Sequence, residues 1–270
     1  MSKKQQVFMG EQLDKGSLSS YCRSMIQFML KCIRALLVPV FPQRCVLCLC
    51  ELSGTEMFFQ PETHAPLCRN CAGQLPVLSG RRCNVCSEPL VSEKDLCTAC
   101  RDTSCAFESN TSVFHYQGMV KELVWVYKFG KQRSCASVFI PFFLSLQTPG
   151  GMIHKENFTS IIPVPASPES LKRRGFDQAK VIAAMLALKT GIPFQPVLKR
   201  GRGIAQKKLS RSKRQLNLSG QVFFTPRHEI GPRPLLIDDI FTTGSTGNEC
   251  SLVLKQHGAM QVHVVTIAKD

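Results

Sequence analysis

Four Cys-x-x-Cys pairs follow one another between positions 45 and 100: Cys45/Cys48, Cys68/Cys71, Cys83/Cys86 and Cys97/Cys100. Two residues between ligands let one tight turn aim both thiolates at a single tetrahedral ion, and two such turns complete a four-sulfur zinc site. Segment 45–105 holds ten of the fourteen cysteines, with turn formers and few long apolar runs. It cannot bury enough apolar surface to fold unaided, so metal is expected to fold it. All eight paired cysteines are expected as ligands, in one or two structural Zn2+ sites. Nineteen residues separate the first two pairs and ten the last two, which permits sequential and interleaved pairing equally. Cys50 and His64 are near enough in sequence to stand in for one of these ligands. A four-sulfur site is coordinatively closed, which disfavours catalytic zinc.

The chain has 270 residues, too many for a small disulfide scaffold, and carries no recognisable signal peptide. Reduced thiols and a cytoplasmic location are therefore expected. Residues 1–19 are polar and without periodicity, and read as a flexible leader. From Ser20 to Val38, Met25, Ile26, Met29, Leu30, Ile33, Leu36 and Leu37 recur at spacings of three and four. This is an amphipathic helix, ended by Pro39 and Pro42, with a linker to residue 44. Lys31 and Arg34 interrupt its apolar run, so no stable membrane insertion is expected.

Around Phe107 the texture changes, and 106–270 reads as a second domain of α/β class. Strands are expected near Val113–Tyr116, Ser160–Val164, Pro234–Ile237 and Val262–Ile267. Helices are expected near Met119–Phe129, Ala136–Leu146, Pro168–Thr190 and Ser245–His257. Net charge is +15, with most of the excess after Gly150. That balance attracts phosphate groups without choosing among a metabolite, a nucleic acid and a membrane surface.

The run Leu235-Leu236-Ile237-Asp238-Asp239-Ile240-Phe241-Thr242-Thr243-Gly244-Ser245-Thr246 sets two acids at the end of a buried strand, then a small-residue loop, then a helix. Unpaired N–H groups at the helix start and the hydroxyls of the loop form a cradle for a phosphate dianion. The carboxylates cannot serve that anion. They suit neighbouring sugar hydroxyls or a magnesium shell, so acid pair and cradle together imply a phosphorylated sugar. Pro163-Val164-Pro165-Ala166 is a tight turn suited to presenting backbone donors to a pyrophosphate, with Lys172, Arg173 and Arg174 just beyond. Segment Lys199–Arg214 holds eight basic residues and no acid, among them Lys207, Lys208, Arg211 and Arg214, with Gly201 and Gly203 for flexibility. Such a loop could close over a reacting centre, bind a nucleic-acid strand, or simply be solvated. No Ser-His-Asp or Cys-His arrangement stands out, and the catalytic residues are unassigned.

The acid pair and its Thr-Gly loop resemble the 5-phosphoribosyl 1-pyrophosphate (PRPP) signature of type I phosphoribosyltransferases. Pro163-Val164-Pro165, the run Arg174-Gly175-Phe176-Asp177-Gln178-Ala179, Lys128-Phe129, the Gln206–Asn217 stretch and the cysteine pairs together resemble the ComF family, from about Leu36 to the end. That resemblance implies a type I phosphoribosyltransferase-like parallel sheet flanked by helices, behind a small Cys-rich zinc module. It implies that Asp238 and Asp239 meet the ribose hydroxyls of PRPP, with Mg2+, and that Thr242, Thr243, Gly244, Ser245 and Thr246 hold its 5-phosphate. The activity implied is phosphoribosyl transfer to an unknown acceptor, in the setting of natural competence and DNA uptake. The alternative is a non-catalytic protein that binds single-stranded DNA or other competence proteins, with PRPP as a regulatory ligand. Asp177 departs from the family's usual Asn, and Gln206-Lys207-Lys208-Leu209 is more basic than the family's loop.

Overall fold

Three consecutive fully buried residues, Leu235, Leu236 and Ile237, mark the strand about which the main sheet is built. A run apolar on both faces suits a parallel strand covered by helices on both sides. The computed structural model describes residues 25, 29, 44–52, 66–91, 95–201, 222–225 and 229–270. Of the helix expected over Ser20–Val38, Met25 and Met29 are described, and both are helical and exposed. The leader, His64, and Lys207, Lys208, Arg211 and Arg214 lie outside the described residues. Among the described residues no helix is long and apolar enough to cross a membrane.

One unit runs from Arg44 to Asp270. Its elements are α1 (Arg69–Gly73), α2 (Thr98–Arg101), β1 (Ser109–His115), α3 (Gly118–Phe129), α4 (Ala136–Leu144), β2 (Gln147–Thr148), β3 (Gly151–Met152) and β4 (Ser160–Pro163). There follow α5 (Pro168–Arg174), α6 (Gln178–Thr190), β5 (Leu198–Arg200), β6 (Val222–Phe224), β7 (Pro234–Phe241), α7 (Ser245–Gln256) and β8 (His263–Lys269). The main sheet has the order β1-β8-β7-β4, and every pairing in it is parallel.

Alternation along the strands builds two cores. Ile161, Leu235, Ile237, Val265 and Ile267 face the layer that contains Ile182, Ala183 and Leu186 of α6. Ile162, Leu236 and Val264 face the layer that contains Cys250 and Leu254 of α7. Each such Leu or Ile, fully buried, contributes about 1.5–3 kcal/mol relative to exposure. The cysteine module is packed into the same cores: Cys45, Leu67 and Leu75 join the first, and Cys83 and Cys86 join the second.

The single helix expected over Pro168–Thr190 is two. Gly175, at φ 78°, closes α5 in the left-handed conformation, its N–H donating to Leu171 O. Asp177 then caps α6 by accepting the Lys180 N–H at 3.0 Å. Between the caps, Phe176 is buried against Tyr127, with ring centroids 5.5 Å apart. A glycine and a capping acid two residues apart end one helix and start the next more strongly than apolar periodicity sustains one.

Candidate functional site

The cysteine pairs form two copies of one local design. In the first, Leu49 N–H donates to Cys45 O and Cys45 N–H to Cys50 O; in the second, Ser87 donates to Cys83 O and Cys83 to Glu88 O. The residue after each turn, Leu49 or Ser87, takes a positive φ of 61° or 64°. Each turn is completed by a short helix whose N-cap is a cysteine, Cys68 for α1 and Cys97 for α2.

The ligands are brought together sequentially. Cys83, Cys86, Cys97 and Cys100 have their sulfurs within 4.8 Å of one another, as do Cys45, Cys48, Cys50 and Cys68. The cross-turn distances Cys48 Sγ–Cys68 Sγ and Cys86 Sγ–Cys97 Sγ are both 3.7 Å. Tetrahedral zinc with Zn–S bonds of about 2.3 Å sets its sulfurs about 3.8 Å apart, so both donor sets fit the ion. In the first set Cys50 stands where Cys71 was expected. Cys71 adjoins the cluster, its N–H donating to Cys68 Sγ at 3.4 Å.

The acid pair lies at the carboxyl end of β7, next to β4, and opens on a cleft of about 180 Å³. Val164, Pro165, Ala166, Asp177, Asp238, Asp239 and Thr246 all line it, together with Arg174 and Arg200. The two acids are held differently. Asp239 Oδ1 accepts the Ile240 N–H at 2.6 Å, and Oδ2 pairs with Lys128 Nζ at 2.8 Å and Arg174 Nη1 at 3.6 Å. Asp238 Oδ1 accepts the Asp239 N–H at 2.8 Å, while Oδ2 accepts nothing among the described residues. Burial, followed by the charge of Asp239, pushes the Asp238 carboxyl up to about 7; the Asp239 N–H and Lys128 act against the rise.

The loop after the pair turns on Gly244, at φ 75°. A Cβ there would lie 2.7 Å from Cζ of Phe241, so the turn needs glycine for both conformation and space. Thr243 Oγ1 and Ser245 Oγ are hydrogen bonded at 2.7 Å. Thr243, Gly244 and Ser245 line a second cleft, of about 510 Å³, with Thr103, Ser104 and Phe223. Thr242 is exposed. The loop thus divides between two clefts, with Thr246 on the side of the acids.

The backbone donors expected of Pro163–Ala166 are engaged. Pro163 and Pro165 have no N–H, Val164 donates to Ile237 O at 2.9 Å, and Ala166 donates to Asp177 Oδ2 at 3.2 Å. Asp177 therefore ties this turn to the start of α6. Lys128 is the residue whose role the sequence did not disclose. It continues the buried stripe of α3 formed by Val120, Leu123, Val124 and Tyr127, and is itself 8% exposed. A lysine on an apolar helix face was the available signal, since such a charge needs a partner.

Residues 36–101 match the double zinc ribbon domain family. The chain is 25% identical to "Competence protein ComFC" of Bacillus subtilis (strain 168) over 79% of this chain and 89% of that protein. It is 27% identical to "Competence protein F" of Haemophilus influenzae over 75% of this chain and 90% of that protein. Among solved structures, orotate phosphoribosyltransferase from Aeropyrum pernix aligns at 19% identity and a TM-score of 0.32, over 56% of this chain and 64% of the other. Adenine phosphoribosyltransferase from Leishmania tarentolae aligns at 14% identity and a TM-score of 0.33, over 54% and 75%. The fold itself rests on the strand order and register given above. With two four-sulfur turn pairs inside the matched ribbon and relatives aligning over most of its length, the chain is similar to the ComF competence proteins and has a double zinc ribbon followed by a parallel sheet flanked by helices.

Proposed function

We propose that the chain binds PRPP with Mg2+ in the cleft at the ends of β4 and β7, and transfers the phosphoribosyl group to an acceptor with release of pyrophosphate. The observation that carries this reading is the acid pair near the carboxyl end of a parallel strand, opening on the same cleft as the Val164–Ala166 turn, with a Thr-Gly turn into a helix directly after the strand. In open α/β sheets that crevice is where ligands bind. Asp238, whose Oδ2 has no partner among the described residues, accepts a hydrogen bond from a ribose hydroxyl, and Asp239 supports it while fixing Lys128 and Arg174. The Thr242–Thr246 segment, which reaches that cleft at Thr246, cradles the 5-phosphate. Pro163–Ala166 borders the pyrophosphate, with Arg174, Arg200 and the basic residues Lys207, Lys208, Arg211 and Arg214 supplying positive charge.

In the transfer, the bond from the anomeric carbon to pyrophosphate breaks with its electron pair leaving on oxygen, and a bond to the acceptor forms. Mg2+ would neutralise charge on the departing pyrophosphate. The protein's part is positioning and charge stabilisation, which needs no protein nucleophile. The names of the relatives suggest a competence setting. Isothermal calorimetry with PRPP and Mg2+ is the test. Saturable heat, lost in Asp238→Asn, supports binding, and absence of heat with the zinc-loaded wild type refutes it. Pyrophosphate release with amines, bases and DNA as acceptors then tests transfer.

A second reading, binding of single-stranded nucleic acid, has one observation in its favour. Trp125 and Phe129 of α3 are exposed with ring centroids 6.0 Å apart, and Arg173 lies 5.2 Å over the Phe129 ring. Exposed aromatic and basic groups of this kind stack with bases. Weakened single-strand binding in Trp125→Ala, with PRPP heat unchanged, would favour it.

A further inference from the structure

The two ribbons are alike closely enough to serve as controls for each other. Cys45, Cys48, Cys68 and Cys71 of the first correspond to Cys83, Cys86, Cys97 and Cys100 of the second, turn by turn and cap by cap. Isolated bridges match as well, Arg44 with Glu51 and Arg82 with Pro89. At the one position where the donor sets differ, the first ribbon has Cys50 and the second has Glu88. The second cluster is closed by its four corresponding cysteines, and Cys105, nearby in sequence, is outside it.

The first ribbon has four clustered sulfurs and a fifth cysteine, Cys71, beside them. Cys50 is exposed and lies within 4.8 Å of Cys45, Cys48 and Cys68, sulfur to sulfur. Cys71 is buried, its N–H donates to Cys68 Sγ at 3.4 Å, and it holds in α1 the position that Cys100 holds in α2. A tetrahedral zinc ion takes four thiolates. We propose that Cys50 and Cys71 compete for the fourth position of the first zinc site, so that Cys50 is an exchange ligand peculiar to this ribbon. Cys50 completes the cluster from the solvent side, whereas Cys71 completes it from the packed side, as Cys100 does in the second ribbon. The first site then tolerates loss of either thiol and passes its ion through a ligand-exchange step that the second site lacks. This inference is independent of the PRPP reading.

The test is zinc content of the purified full-length chain by mass spectrometry of the metal. Wild type, Cys50→Ser and Cys71→Ser are each expected to hold two zinc ions, whereas Cys50→Ser/Cys71→Ser and Cys100→Ser are expected to hold one. Cobalt substitution should retain four-thiolate charge-transfer intensity at both sites in Cys71→Ser. Loss of one ion in Cys71→Ser overturns the proposal, and so does retention of two in the double variant, which would make another group the substitute. Exchange of bound zinc against isotopically labelled zinc is read on folded wild type and Cys50→Ser. Faster exchange of one of the two ions in wild type is expected; equal rates in the two proteins overturn the exchange role.

Discussion

Replacing Lys128 by methionine keeps most of the apolar stem on the buried face of α3 and removes the charge that faces Asp239. The pair is 2.8 Å long, and the two side chains are 10% and 18% exposed. At that separation and an effective dielectric constant of about 20, the Coulomb attraction is about 6 kcal/mol. Part of it offsets the removal of the ammonium from water, and losing one partner of such a pair costs about 3–5 kcal/mol. Arg174 remains 3.6 Å from the same oxygen and limits the damage, which favours the lower end of that range. Urea unfolding of the zinc-loaded chain, followed by the fluorescence of its one tryptophan, Trp125 on the same helix, measures the loss. The double variant Lys128→Met/Asp239→Asn removes both charges, and its cost is expected to fall short of the summed single costs by about 2 kcal/mol. A Lys128→Met loss below about 0.5 kcal/mol, the level of an exposed pair, would refute the view that this ion pair holds the acid site.

Asp238 supplies a pH-dependent prediction. Its carboxyl is raised to about 7 by burial and by Asp239, against about 3.9 for an unfolded aspartate. The folded chain therefore binds the extra proton between these values, so this group's contribution to stability is present below about pH 4 and is lost as pH rises through about 7. Asp238→Asn is expected to gain thermal stability relative to wild type across that window and to level off above it. A midpoint difference that is flat, or that falls with rising pH, contradicts the assignment. Gly244→Ala forces a side chain into a left-handed turn with Cβ 2.7 Å from the Phe241 ring, and is expected to cost about 1–3 kcal/mol in urea unfolding. An unchanged midpoint would mean that the turn relaxes freely.

Much of the site could be read locally. Cys-x-x-Cys spacing dictates a ligand turn wherever it occurs, and the unbroken apolar run ahead of Asp238 dictates a buried strand with its acids at the end. The two prolines and the small residues around Ala166 likewise indicated a turn, but the destination of its N–H groups was not legible. Asp177, eleven positions later, takes the Ala166 donor because Gly175 breaks the helix and returns the chain to β4. Lys128 shows the same limit: its place on an apolar face was visible, while its partner lies over a hundred residues away.

By itself, then, the sequence determined the donor types, thiolate in the module and carboxylate with hydroxyl at the end of β7, together with the turns that present them. Only the tertiary structure decided that the ribbons pair sequentially, that Cys50 joins the first cluster, and that Asp239 is anchored while Asp238 Oδ2 has no partner among the described residues. The physical reason is range. Turn geometry and side-chain period are set by neighbours a few residues apart, whereas metal closure and buried charge pairing are contacts between distant segments, fixed once the sheet and its helices pack.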